Sequence, residues 1–194
     1  MIHGLLYWDD RQRYYSQVNN SIERLLRTKG DKGWLETCGP TATVMILDMM
    51  GRQVGVDTVG SYHPQPEDVL ALWLNDPRNR QKMRNARPEL EPFQFPGNQI
   101  AQYYPPAVAE VFGIQGEYIE GGTWEVVKLN LIQGHGVMVA MKSPGHFISV
   151  VAYDNLKDEF IYHDPFPKNS DGFAKRIRHQ DYSGFIKPYV VAYM

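Results

Sequence analysis

The chain has 194 residues, 43% hydrophobic and 22% charged, which suits one compact globular domain with a continuous core. A formal net charge of −2 excludes a general electrostatic pull towards nucleic acid or an acidic partner. The single cysteine excludes an internal disulfide and any zinc site built on clustered cysteines, and a reducing compartment suits it.

The first residues, Met-Ile-His-Gly-Leu-Leu-Tyr-Trp-Asp-Asp, carry no basic segment and no long apolar run, so no signal peptide is expected. No stretch reaches the roughly 18 apolar residues of a membrane span. A soluble, cytoplasmic protein is the expectation, although a processed or phage-delivered one has the same composition. After Tyr14-Tyr15-Ser16-Gln17-Val18, the spacing of Ile22, Leu25 and Leu26 predicts a short amphipathic helix over 20–27, stopped by Gly30. The run from Ala42 to Met50 is apolar almost without interruption, which predicts a helix buried nearly all round. Pro40 fits its first turn, where a missing N–H costs nothing, and Gly51 fits its stop.

Pro66-Glu67-Asp68 opens a second amphipathic run through Trp73 and Leu74, and Pro105-Pro106 opens a third that ends at Gly113. Between them, Arg78, Arg80, Lys82, Arg84 and Arg87 lie in a basic, Pro-rich stretch with little periodicity, which predicts an excursion on the surface and not a separate domain. A fourth helix is expected from Thr123, as its cap, to about Gln133. Beyond it, 136–141, 146–153, 159–164 and 185–193 are rich in β-branched and aromatic residues and separated by turn formers. Helices followed by antiparallel strands predict an α+β fold in a single domain over 1–194, helical over about 1–134 and sheet over about 135–194.

Cys38 stands where the buried helix should begin. A cysteine attacks as its thiolate, and a helix N-terminus beside a protonated histidine favours that form. The alternative is a small buried hydrophobe, a common role for a lone cysteine. A nucleophilic cysteine needs a base, usually histidine, held by a carboxylate or amide. Of six histidines, His146 opens a strand after Ser143-Pro144-Gly145, at the rim of the expected sheet. If the turn at Asp154-Asn155-Leu156-Lys157 centres a hairpin, partner numbers add to about 310 or 311, setting His146 opposite Asp164 or Pro165. Opposed residues share a face, so Asp164 reaches the imidazole; a slip of one residue parts them. His163 should then point into the other layer. For the developing oxyanion, the Cys38 N–H is one donor and the Gln17 amide the best candidate for a second, its alternative being a surface glutamine.

Gln17, Cys38-Gly39-Pro40-Thr41-Ala42, Gly145-His146 with its apolar strand, and His163-Asp164-Pro165-Phe166 together resemble the papain-like cysteine peptidases. More narrowly they resemble the bacteriocin-leader (double-glycine) processing peptidases and their stand-alone relatives. The resemblance implies a papain-like α+β fold and a thiol hydrolase acting on a peptide or protein. Cys38 is then the nucleophile, His146 the base, Asp164 the orienting acid and Gln17 the oxyanion donor, with no metal or organic cofactor. Two features depart from the pattern: Gln17 lies 21 positions before Cys38, and the basic 76–90 segment has no counterpart. No transporter accompanies the domain in the sequence, so bacteriocin export is not implied. The same residues also suit a cell-wall peptide hydrolase, a deamidase or acyltransferase effector, or a non-catalytic binding module.

Overall fold

The computed structural model describes residues 1–19, 37–55, 65–90, 99–143, 145–166 and 171–194. The helix expected over 20–27 lies outside them. The described residues hold seven strands in one antiparallel sheet: β1 (Ile2–Gly4), β2 (Gly116–Glu120), β3 (Gly136–Met141), β4 (Phe147–Asp154), β5 (Glu159–His163), β6 (Lys175–Arg178) and β7 (Ile186–Tyr193). The order across the sheet is β2-β7-β3-β4-β5-β6. β5 lies along one side of β4. On the other side β3 pairs with residues 147–150 and β1 with 152–154.

β4 is buried along its whole length because helices cover both faces of the sheet. Alternation along β3 divides the side chains: Met138 and Ala140 join Phe147, Val151 and Ile161 on one face, and Val137 and Val139 join Ile148, Val150 and Phe160 on the other. The first face receives α1 (Cys38–Met49), with α2 (Pro66–Asn75) and α4 (Tyr104–Phe112) packed around it; the second receives α5 (Trp124–Ile132) and α6 (His179–Phe185). Eleven of the twelve residues of α1 are buried, as its unbroken apolar run requires. Its polar atoms are paired within the core: Ser149 Oγ donates to the Ala42 carbonyl, and the Thr43 and Tyr193 hydroxyls lie 3.0 Å apart.

The division into a helical part over about 1–134 and a sheet part over about 135–194 does not hold. β1 and β2 fall in the first part yet complete the sheet, and α6 falls in the second. Both early strands are short, with patterns too weak to announce themselves outside the sheet that pairs them. The basic surface stretch is helical over Pro77–Ala86, α3, an element that its weak periodicity did not announce. Asp76 caps it, accepting from the Arg78 N–H at 2.8 Å, and Pro77 occupies its first turn. Only Met83 is buried, so no apolar stripe marked it, whereas Asp76-Pro77 was a readable start signal. Arg78 pairs with Asp76 and Lys82 with Glu110 of α4, and just beyond the helix Arg87 pairs with Glu89.

Glu67, in the first turn of α2, is 1% exposed, and among the described residues its carboxylate oxygens meet no partner beyond its own backbone N–H. Burial, with a further push from the charge of Asp68 and against the pull of its own backbone N–H, raises this carboxyl to about 7. The folded value lies above the unfolded one, so the associated stability is fully present below about pH 4.5 and lost as pH rises through 7. Glu67→Gln does not titrate and is expected to match wild type at pH 5. At pH 8.5 it should be more stable by roughly 2–3 kcal/mol, read as a thermal midpoint some 5–10 °C higher. Equal midpoints at pH 8.5 would refute the assignment.

Candidate active site

Cys38 is the first residue of α1, 6% exposed, with Thr37 as its cap residue. The Thr37 hydroxyl does not close the helix start, so first-turn N–H groups face the thiol end of the helix. Position 39 admits only glycine, because a β-carbon there would come within 1.8 Å of the Tyr104 hydroxyl. Tyr104, from the start of α4, is wholly buried and donates to Gln99 Oε1 at 2.5 Å. Burial, and after it the negative charge of Cys38, hold its hydroxyl protonated well beyond the usual range. A rigid phenol thus backs the residue beside the thiol.

His146 precedes β4, following Gly145 at φ +78°. Its Nε2–H donates to Asp164 Oδ1 at 2.7 Å, both side chains being 12% exposed, and the Cys38 thiol lies close enough to act on the ring electrostatically. With Nε2 taken, Nδ1 is left for the thiol. Burial pulls this imidazole down, but the hydrogen bond to Asp164 and the negative charges of Cys38 and Asp164 outweigh it and raise it to about 9. Burial likewise pushes Asp164 up, yet the hydrogen bond and charge of His146, the Phe166 N–H and Lys175 keep its carboxyl below the usual range. Phe166 N–H donates to Oδ1 at 2.9 Å, and Lys175 Nζ lies 3.7 Å from Oδ2.

The hairpin register that brings this pair together differs from the sequence expectation. Near the turn, Asp154 pairs with Glu159, Tyr153 with Phe160 and Ala152 with Ile161, so partner numbers add to 313. Beyond a bulge they add to 312: Val150 pairs with Tyr162 and Ser149 with His163. Continued, the first register puts His146 and Asp164 on opposite sides. Val151, the extra residue, restores their common parity. His146 and Asp164 are therefore not directly opposed but diagonal, each one residue beyond its strand. His163 turns away from Asp164, but towards the cluster that holds Cys38 and not into the layer opposite it: its Nε2–H donates to the Trp8 carbonyl at 2.9 Å and its Nδ1 accepts from Ala174 N–H at 2.9 Å.

Gln17 is fully buried, which removes the surface-glutamine alternative. It opens a turn of 3₁₀ helix, and its N–H donates to the Pro165 carbonyl at 2.9 Å, docking it one residue from Asp164. Cys38, Asp164 and Gln17 are thus buried and His146 is partly exposed at the sheet end, its imidazole held by Asp164. Tyr14, Tyr104 and Lys175 were not foreseen. Only Tyr104 had a readable signal, as an aromatic directly before Pro105-Pro106. Among the described residues no group of three or more His, Cys, Asp or Glu side chains is arranged to hold a metal ion, and no helix is long and apolar enough to cross a membrane.

A buried helix that starts at a cysteine, packed on an antiparallel sheet whose end carries histidine and aspartate, defines the papain-like α+β class. The chain belongs to the Peptidase_C39 like family, whose sequence profile matches residues 11–189, and so is a cysteine peptidase in the general sense. No curated protein matches it. Among solved structures it is similar to a protein described as a C39-like peptidase from Bacillus anthracis (12% identity, 82% of this chain, 88% of that one, TM-score 0.47). It is also similar to the N-terminal peptidase C39 like domain of the toxin secretion ATP-binding protein from Vibrio parahaemolyticus (14% identity, 50% and 70%, TM-score 0.37). A third similarity is to UfSP from C. elegans (13% identity, 61% and 24%, TM-score 0.36).

Proposed function

We propose that this chain is a thiol hydrolase that cleaves an amide bond in a peptide or protein, with Cys38 as nucleophile, His146 as base, Asp164 as orienting acid and Gln17 as oxyanion donor. The observation that carries the reading is one largely covered imidazole that donates to Asp164 at 2.7 Å and is influenced by the Cys38 thiol at the start of a buried helix. Proton transfer from Sγ to His146 makes a thiolate–imidazolium pair, favoured by Asp164 and by the N-terminal end of α1. The thiolate attacks the carbonyl carbon, and the Gln17 amide and the Cys38 N–H take the charge that forms on its oxygen. His146 returns its proton to the leaving amine. Water, deprotonated by His146, then attacks the thioester and frees the acid. No metal or organic cofactor has a step here.

The test is intact-mass spectrometry during incubation with candidate peptides. An acyl fragment carried on Cys38, and absent from Cys38→Ala, is expected; ammonia as the only leaving group would redirect the chemistry to deamidation. Peptide cleavage that continued in Cys38→Ala would sink the reading.

A further inference from the structure

We propose that Tyr14 is a positioning residue that fixes the Gln17 donor against the Cys38–His146–Asp164 group. This rests on the roles proposed above for Cys38 and Gln17. Gln17 lies 21 positions before Cys38, so its placement depends on what holds residues 14–17. Two rungs do so. The Tyr14 hydroxyl donates to the Asp164 carbonyl at 2.7 Å, and the Gln17 N–H donates to the Pro165 carbonyl at 2.9 Å. One short segment is thereby tied to the two consecutive residues that begin with the acid.

A third chain locks the first rung. The Asp164 N–H donates to the Gly172 carbonyl at 2.9 Å, and a β-carbon on Gly172 would come within 2.2 Å of both the Asp164 carbonyl and the Tyr14 hydroxyl. The Tyr14 ring meets His163 and Phe173 edge-on, with centroids 6.2 and 6.1 Å away. Arg11 reinforces the same side, pairing with Asp171 and lying 5.2 Å from the Phe173 centroid. Burial, then the charges of Asp164 and Asp171, push the phenol up to about 12, so it remains a donor at every working pH. The rings hold Tyr14 in place without its oxygen, whereas the hydroxyl alone grips the Asp164 backbone. An oxyanion donor must sit within a few tenths of an ångström of its target, and loosening one of two rungs misplaces it.

Two reactions of Cys38 separate positioning of the donor from support of the thiolate. With p-nitrophenyl acetate, the thiolate attacks the acetyl carbonyl through an oxyanion; a C–S bond forms, the ester C–O bond breaks and nitrophenolate leaves. With iodoacetamide, the thiolate displaces iodide and no oxyanion forms. Tyr14→Phe is expected to slow acetylation about tenfold while alkylation stays within about twofold of wild type, below the 10²–10³ cost of losing a donor outright. Gln17→Ala should slow acetylation more, and Tyr14→Phe added to it should cost nothing further, because both changes act through one donor. Unchanged acetylation in Tyr14→Phe, equal losses in both reactions, or multiplied losses in the double variant would each overturn the proposal. A wild-type Cys38 that alkylates no faster than a free thiol would remove the hydrolase reading, and this proposal with it.

Discussion

Cys38→Ser is expected to lose amide hydrolysis by at least ~10³-fold while folding as wild type does, a loss worth about 4 kcal/mol of transition-state stabilisation or more. The exchange is nearly isosteric at a site only 6% exposed, so α1 and its packing should persist. What disappears is the readily ionised nucleophile. An imidazole takes a proton from a thiol with little driving force, whereas a hydroxyl needs a stronger push than one His–Asp pair gives here. Hydrolysis of a cleaved peptide, followed by mass spectrometry and paired with a thermal melt, checks both halves. A folded Cys38→Ser protein that still hydrolysed at wild-type rate would end the nucleophile assignment. One that lost hydrolysis but kept full biological activity would instead favour a binding module on the same fold.

Asp164→Asn should have the second-largest effect. Burial pulls the His146 imidazole down, and the hydrogen bond to Asp164 and the charges of Cys38 and Asp164 raise it to about 9. The imidazolium is lost as pH rises through that value, so the alkylation rate of Cys38, plotted against pH per thiolate, should bend near pH 9 in wild type. Asparagine keeps an oxygen for Nε2–H but not the charge, so the bend should move down by roughly 1–2 pH units and hydrolysis near pH 8 should fall by about 10–100-fold. Stability follows the same sign. The folded value of His146 lies above the ordinary 6.5, so its contribution is fully present below pH 6.5 and lost as pH rises through 9. At pH 6, Asp164→Asn should therefore be destabilised by roughly 1–3 kcal/mol, with a smaller deficit at pH 10. An alkaline bend that stayed near 9 would show that Cys38 alone sets the imidazole.

Much of this was legible in the residue order, for reasons that are local. The unbroken apolar run after Cys38 has one stable outcome, a helix with no wet face, and α1 is that helix. Thr123 before Trp124 and Gly113 after Phe112 are end signals; the Thr123 hydroxyl accepts from the Val126 N–H, and Gly113 sits at φ +68°. Four strands declared themselves because β-branched and aromatic content, and the turn formers that bound each run, are local features. The α3 helix stayed hidden for the opposite reason. Its face is polar all round, and what stabilises it is a cap, a proline and an ion pair to a distant glutamate.

The sequence by itself determined which side chains the proposed chemistry draws on: a cysteine at a helix start, a histidine before an apolar strand, an aspartate after the next, and an upstream glutamine. Only the tertiary structure decided how they meet. The His146–Asp164 pair depends on one extra residue, Val151, which corrects the parity of a hairpin whose turn alone would part them. A bulge leaves no mark in alternation that a buried strand lacks anyway, since β4 is apolar on both faces. The burial of Gln17 likewise follows from hydrogen bonds to carbonyls about 150 residues away, from Tyr14 to Asp164 and from Gln17 to Pro165. The charge on His146 has the same origin. Residue type sets the starting value of a titrating group, and only assembled neighbours, here a thiol from a helix and a carboxylate from a sheet, decide where it ends.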